Sequence, residues 1–254
     1  MSEVLTDVQD GVIVITINRP EAKNAVNRAV AEGVAAAMEQ LDSDNSLNAG
    51  IITGAGGTFC SGMDLKGFLK GELPMVAGKG FCGFIESPPE KPLIAAVEGY
   101  ALAGGMEVAI ASDLCVANSK AQFGIPEVKR SLVAAAGGVL TLPSIVGKRM
   151  AMELALTGDF IDAQRAYEMG FVNRITYGPA LDGALEFAAR VAANGPLALK
   201  ATKRIINERP DWSSEEMWQK QQELSATVFA SEDSKEGARA FAEKRKPNWQ
   251  GKYS

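Results

Sequence analysis

The strongest constraint on the fold is an alternation of short β-branched runs with helical segments. Val12-Ile13-Val14-Ile15-Thr16-Ile17 reads as a strand, closed by Asn18-Arg19-Pro20. Val26, Val30, Val34, Met38 and Leu41 then recur at helical spacing, with Arg28, Glu32, Glu39 and Gln40 off the stripe. Gly50-Ile51-Ile52-Thr53 reads as a short buried strand ending in Gly54-Ala55-Gly56-Gly57, which completes a β-α-β unit. The alternation returns with Leu93-Ile94-Ala95-Ala96-Val97, a small-residue helix over residues 105–112, the strand Leu114-Cys115-Val116-Ala117, and a glycine-rich segment before Met150-Ala151-Met152. Such a pattern specifies the α/β class.

Two segments break the alternation. Residues 67–92 contain Gly71, Gly78, Gly80, Gly83 and Pro88-Pro89 without a sustained period, so they are expected to form a mobile flap. After Asn173 the pattern is helical throughout. An alanine-rich helix over residues 180–194 is stopped by Gly195-Pro196, and a second runs to about Arg209-Pro210. Ser213 with Glu216 three residues on is a capping box opening a third helix, and a fourth covers residues 234–245. The expected division is a catalytic core over residues 1–195 and a helical oligomerisation region over residues 196–254.

Composition narrows the functional classes. The 254 residues are 46% hydrophobic and 22% charged, the balance of a globular protein. The net charge of −5 gives no general attraction for nucleic acid, and no apolar run is long enough to span a membrane. The amino-terminal residues have neither the basic stretch nor the apolar stretch of a secretory signal, so a cytoplasmic location is expected. Three scattered cysteines, Cys60, Cys82 and Cys115, read as buried thiols.

There is no histidine. Imidazole-based hydrolases and histidine-ligated zinc sites are thereby excluded, and no metal site is expected. Neither GxGxxG, GxxxxGK[ST] nor GxSxG occurs. What stands out are Phe59-Cys60-Ser61-Gly62-Met63-Asp64-Leu65, Gly99-Tyr100-Ala101-Leu102-Ala103-Gly104-Gly105-Met106-Glu107 and Phe123-Gly124-Ile125-Pro126-Glu127. Each sets a turn ahead of a helix, where free backbone N–H groups suit a developing oxyanion. Asp64 reads as an N-cap. Glu107 lies in an otherwise apolar helix, where a lone carboxylate is costly to bury. With Glu127 it forms a pair able to divide acid and base roles without histidine.

At these segments the chain resembles the crotonase superfamily, also called the enoyl-CoA hydratase/isomerase family. The resemblance spans nearly the whole length. It includes Asn18-Arg19-Pro20, Asn24-Ala25, the 59–65 segment, Lys91-Pro92-Leu93-Ile94-Ala95-Ala96-Val97-Glu98-Gly99-Tyr100-Ala101, Gly104-Gly105-Met106-Glu107, Ala121-Gln122-Phe123-Gly124-Ile125-Pro126-Glu127, Leu156-Thr157-Gly158 and Phe241-Ala242-Glu243-Lys244-Arg245. It implies a crotonase (ClpP-like) spiral of repeated ββα units with a helical C-terminal region that builds a trimer, often stacked as a hexamer. It also implies acyl-CoA thioester substrates, with coenzyme A as part of the substrate and no separate cofactor.

By the same resemblance, the oxyanion-hole N–H groups belong to Met63 and Gly104, and the catalytic carboxylates are Glu107, activating water, and Glu127, supplying a proton. Coenzyme A contacts are expected from Ala22, Asn24 and Ala25, from Gly62, Asp64, Leu65 and Lys66, and from Gly105. Phe241 and Lys244 correspond to a C-terminal pair that reaches a neighbouring subunit's nucleotide. One departure is Ser131-Leu132-Val133-Ala134-Ala135-Ala136-Gly137-Gly138, where relatives that hydrate short enoyl esters carry a Gly-x-x-Pro-Gly-x-Gly-Gly stretch. The chain's ending is similar to carnitinyl-CoA dehydratase-like members. Enoyl-CoA hydration is therefore the expected activity. An isomerase or dehydratase of the same fold, or an acyl-CoA- or RNA-binding member, stands as the alternative.

Overall fold

Strands β1 (Val4–Gln9) and β2 (Val12–Ile17) form an antiparallel hairpin across Asp10-Gly11, which hold φ of 49° and 77°. Positive φ at both central residues is what a type I′ turn requires, and Asp-Gly supplies it readily. β1 lies outside the alternation read from the sequence because it covers an edge, with five of its six residues exposed. The computed structural model describes residues 2–252. Met1, Tyr253 and Ser254, the outermost residues of the two expected parts, lie outside the described residues.

Helix α1 (Arg28–Ser43) returns the chain to β3 (Ala49–Gly54), parallel to β2. Asn27 caps α1 by accepting a 2.9 Å hydrogen bond from the Val30 N–H. Val26, the first residue of the predicted stripe, precedes the helix and pairs with Met63 instead. Helix α2 (Leu65–Phe68) and the hairpin β4 (Met75–Val76) with β5 (Gly80–Phe81) follow, then β6 (Leu93–Val97), β7 (Tyr100–Leu102) and helix α3 (Gly104–Ala111). Next come β8 (Leu114–Asn118), β9 (Gln122–Gly124), a 3-10 turn over Pro126–Arg130, α4 (Gly138–Val146), α5 (Lys148–Thr157), β10 (Ile161–Asp162), α6 (Ala163–Glu168), β11 (Arg174–Thr176) and α7 (Ala180–Ala192). Helices α8 (Pro196–Glu208), α9 (Met217–Ala230) and α10 (Glu232–Glu243) close the described chain.

Among the described residues, the large sheet runs β1-β2-β3-β6-β8-β11, and a small one runs β10-β9-β7. β6, β7 and α3 form one ββα unit, and β8 and β9 with the helices after them form the next. Each unit gives one strand to the large sheet and one to the small sheet. This is the expected spiral. The inner strands of the large sheet are buried on both faces. Ile13, Ile15 and Ile17 of β2 join the main core with α1 and α3, while Val12 and Val14 face α7 through Ala180, Ala184 and Ala188. Alternate residues of a strand point to opposite faces, so one run of β-branched residues serves both layers.

The segment over residues 67–92 is not the featureless flap its composition suggested. Its middle forms the β4–β5 hairpin, and Phe81, Cys82 and Phe84 are buried. Gly83 sits so close to α1 that a Cβ would lie 2.1 Å from the Ala31 carbonyl oxygen. Anchoring comes from a few aromatic contacts and glycine approaches, neither of which has a period. By contrast, α8 buries only Pro196 and Leu197, and α9 buries none of its residues, leaving Ile206, Trp218 and Phe229 exposed. The predicted capping box is present: the Ser213 Oγ donates to Glu216 at 2.8 Å, and the Glu216 N–H donates to Ser213 Oγ at 3.2 Å. No helix among the described residues is long and apolar enough to cross a membrane.

Candidate active site

Two backbone segments meet where the ββα units turn. In the first, the Val26 N–H donates to the Gly62 carbonyl at 2.8 Å and the Asp64 N–H donates to the Val26 carbonyl at 2.9 Å. Both bonds point toward Val26, so the N–H of intervening Met63 points the opposite way. Gly62 holds φ of 99°, a conformation a side chain would strain. In the second segment, Ala103 adopts φ 53° and ψ −129°, fixed by its N–H donating to the Gly124 carbonyl at 2.8 Å. That turn opens α3 with Gly104, whose N–H stands at the helix N-terminus.

The segments touch: a Cβ on Gly62 would lie 3.1 Å from the Gly104 nitrogen. Among the described residues, neither the Met63 nor the Gly104 N–H donates a hydrogen bond. Both residues line one cleft of about 840 Å³. A cleft of that size takes a small-molecule ligand.

Glu107 lies one turn into α3 and lines the same cleft, as does Glu127 in the 3-10 turn after Pro126. Glu107 is 3% exposed, and its Oε1 accepts a 2.8 Å hydrogen bond from the Gly138 N–H. Burial pushes its carboxyl up to about 7, reinforced by the negative charge of Glu127 and opposed by the N–H groups of Gly138 and Ala136. Burial also raises Glu127, against the opposing effects of its own N–H and the Arg130 charge. Its Oε2 is buried and has no hydrogen-bond partner among the described residues. Leu65, Phe68, Met75, Phe81, Val133 and Phe160 make much of the wall apolar, with Lys23, Lys129 and Arg130 as cations.

The sequence model of the enoyl-CoA hydratase/isomerase family matches residues 7–252. The chain belongs to that family. Enoyl-CoA hydratase EchA19 of Mycobacterium tuberculosis is 38% identical, covering 98% of this chain and 97% of that protein. Carnitinyl-CoA dehydratase of Proteus mirabilis is 37% identical, covering 95% of each. The crystal structure of enoyl-CoA hydratase EchA1 from Mycobacterium marinum has a TM-score of 0.97 and 55% identity, covering 99% of this chain and 100% of that one.

Within this family's fold, the expected site residues fall into three groups. Met63, Gly104, Glu107, Glu127 and Leu65 line the cleft together. Asn24, Ala25, Gly62, Asp64 and Gly105 hold the loops around it. Asn24 has no exposed surface, so the expected contact with coenzyme A is corrected to a supporting role. Its Nδ2 donates to the Ala55 and Thr58 carbonyls, and its Oδ1 accepts from the Arg19 N–H at 2.9 Å. Asp64 accepts at α2 from the Lys66 N–H at 3.0 Å and the Gly67 N–H at 3.3 Å, and its other oxygen pairs with Arg19. Ala22, Lys66, Phe241 and Lys244 form the third group and do not line the cleft; Phe241 is 88% exposed at the end of α10.

The sequence pattern missed Phe81, Tyr100 and Phe160 on the wall, because each arrives from a separate loop or short strand. The Gly138 N–H on Glu107 was equally invisible. Replacing Asn24 by alanine leaves buried backbone groups unpaired at both ends of the loop. A loss of about 2–3 kcal/mol in stability is expected, measured by denaturant unfolding.

Proposed function

We propose that this chain is an enoyl-CoA hydratase that adds water across the 2,3 double bond of an acyl-CoA thioester. The observation that carries the reading is the convergence of two carboxylates and two undonated N–H groups on one cleft. The thioester oxygen accepts from Met63 and Gly104, which stabilise the negative charge that develops as an enolate forms. Glu107, held by the Gly138 N–H, accepts a proton from water as its oxygen bonds to Cβ. Glu127 in its protonated form delivers a proton to Cα. Reversal of these steps is dehydration, the direction named in the Proteus relative. Double-bond isomerisation needs only one such carboxylate, so the pair favours hydration.

Coenzyme A enters as part of the substrate, and the reading uses no separate cofactor or metal. The loop over residues 18–25 and the start of α2 flank the cleft on the side of Lys23, whose Nζ lies 6.0 Å from the Tyr100 ring centroid. Exposed Ile206, Trp218, Phe229 and Phe241 support assembly as a homotrimer, or a dimer of trimers. In such an assembly Phe241 and Lys244 serve a neighbour's ligand, which accounts for their distance from this cleft. The acidic net charge speaks against nucleic acid as a partner.

Incubation with crotonyl-CoA and longer enoyl-CoA esters tests the reading through loss of the conjugated thioester absorbance. Hydration of at least one chain length is expected, and failure with every length removes the proposal. With the same assay, kcat/KM is expected to fall about tenfold per unit above an apparent pKa near 7, where the carboxylate pair loses the one proton that is delivered to Cα. The value belongs to the carboxylate pair and is read over pH roughly 5 to 9. A flat profile overturns the roles given to the pair.

A further inference from the structure

We propose that Arg19 is a positioning residue for the hydration step, clamping the chain segments on either side of Met63 so that the Met63 N–H is aimed at the thioester oxygen. This rests on the hydratase reading of the cleft. Arg19 does not line the cleft. Its side chain is only 14% exposed and reaches from the loop over residues 18–25 to the start of α2. Its Nη1 donates to the Ala25 carbonyl at 2.6 Å and its Nη2 donates to Asp64 Oδ2 at 3.0 Å. Its Nε lies 3.3 Å from Glu3 Oε1 and makes no hydrogen bond among the described residues.

The placement of these two acceptors gives the side chain its role. Met63 is held beside Val26 by an isolated bridge outside any strand, so no ladder keeps the two segments in register. Before the bridge, the Ser61 N–H donates to the Lys23 carbonyl at 3.1 Å. After it, the link is Arg19, which joins Ala25, next to Val26, to Asp64, next to Met63. Asp64 Oδ1 meanwhile caps α2 through the Lys66 and Gly67 N–H groups, so one carboxylate fixes both the helix start and the clamp. A guanidinium is planar and presents its donors as a rigid fork, so holding two acceptors at once fixes their separation; a lysine ammonium is a point charge and cannot. A misaimed N–H matters most in the transition state, where negative charge develops on the thioester oxygen. The clamp therefore acts on kcat more than on substrate binding.

The test measures kcat, KM and melting temperature for Arg19→Lys, Asp64→Asn and Glu3→Gln, with the enoyl-CoA ester that the wild type hydrates fastest. The carbonyl stretch of bound butyryl-CoA, a saturated ester that cannot be hydrated, is read in parallel by isotope-edited infrared spectroscopy. In the wild type, the two N–H donors are expected to lower this stretch below that of the free ligand. Arg19→Lys keeps the charge but not the fork, and Asp64→Asn keeps the cap but not the ion pair. Each is expected to lower kcat by about 10–10² with little change in KM, less than the roughly 10²–10³ for a lost donor because the N–H is misdirected, not removed. The stretch is expected to return part-way to the free value. Glu3→Gln leaves both clamp bonds and is expected to keep the wild-type kcat and stretch. If only one clamp variant folds, that variant decides the question. A lower melting temperature with wild-type kcat and stretch overturns the proposal, since Arg19 would then serve the fold alone. So does a rise in KM alone, which would assign Arg19 to coenzyme A binding. If the wild type hydrates no ester, the function fails, and the clamp survives only if bound butyryl-CoA shows the lowered stretch and a clamp variant reverses it.

Discussion

Glu107→Gln is expected to lower kcat for enoyl-CoA hydration by about 10²–10⁴, the range for removal of a positioned acid or base. The amide keeps the shape and still accepts from Gly138, so the loop should stay in place. What disappears is the ability to take a proton from water. The same substitution is expected to stabilise the protein at alkaline pH. Burial raises this carboxyl from 4.5 to about 7 in the folded chain, so the folded state holds the proton more tightly than the unfolded state. That advantage is fully present below pH about 4.5 and is lost as pH rises through about 7, where the folded chain must carry a buried charge. Glutamine carries no charge at any pH, so at pH about 8 the variant is expected to unfold up to about 3 kcal/mol less easily. Steady-state rates and denaturant melts at two pH values measure both effects. Loss of activity without the alkaline gain in stability would show that the folded-state carboxyl titrates at its ordinary value.

Gly105→Ala is expected to remove most activity by disturbing both oxyanion donors together. A Cβ at this position would lie 2.1 Å from the Cys60 carbonyl oxygen and 2.7 Å from its carbon, distances no rotamer can relieve. Either the first turn of α3 or the segment after Cys60 must move. The first carries the Gly104 N–H and the second leads through Gly62 to the Met63 N–H. Loss of one such donor costs about 10²–10³ in rate, and the overpacking adds about 1–3 kcal/mol of instability. The expected signature is a fall in kcat larger than any rise in KM, with a lower melting temperature. A variant with wild-type kcat would separate Gly105 from the placement of the donors.

The sequence revealed the elements whose burial is periodic. β2, α1, β3, β6 and β8 were legible because apolar residues recur there at strand or helix spacing and pack into the sheet and its covering layers. Asp64, Glu107 and Glu127 were legible because charged residues beside glycine turns or inside apolar helices need a physical reason. β1 was missed because only Val4 of its six residues is even half-buried. The hairpin over Met75–Phe81 was missed because it is held by Phe81, Phe84 and close glycine approaches, none of which repeats.

Asn24 and Glu107 show the other side of this division. The order of residues specified the α/β class and the absence of imidazole chemistry and singled out Glu107 and Glu127 as candidates, since these depend on residue type and local period, whereas the spiral was implied by the family resemblance. That order could not show that Asn24 turns wholly inward, that the Met63 and Gly104 N–H groups face one cleft, or which backbone N–H meets Glu107. Those facts arise from contacts between segments distant in sequence. The Gly138 N–H that meets Glu107 lies 31 residues away. Only packing brings such groups within hydrogen-bond range, and only packing removes the water that sets the carboxylate's proton affinity.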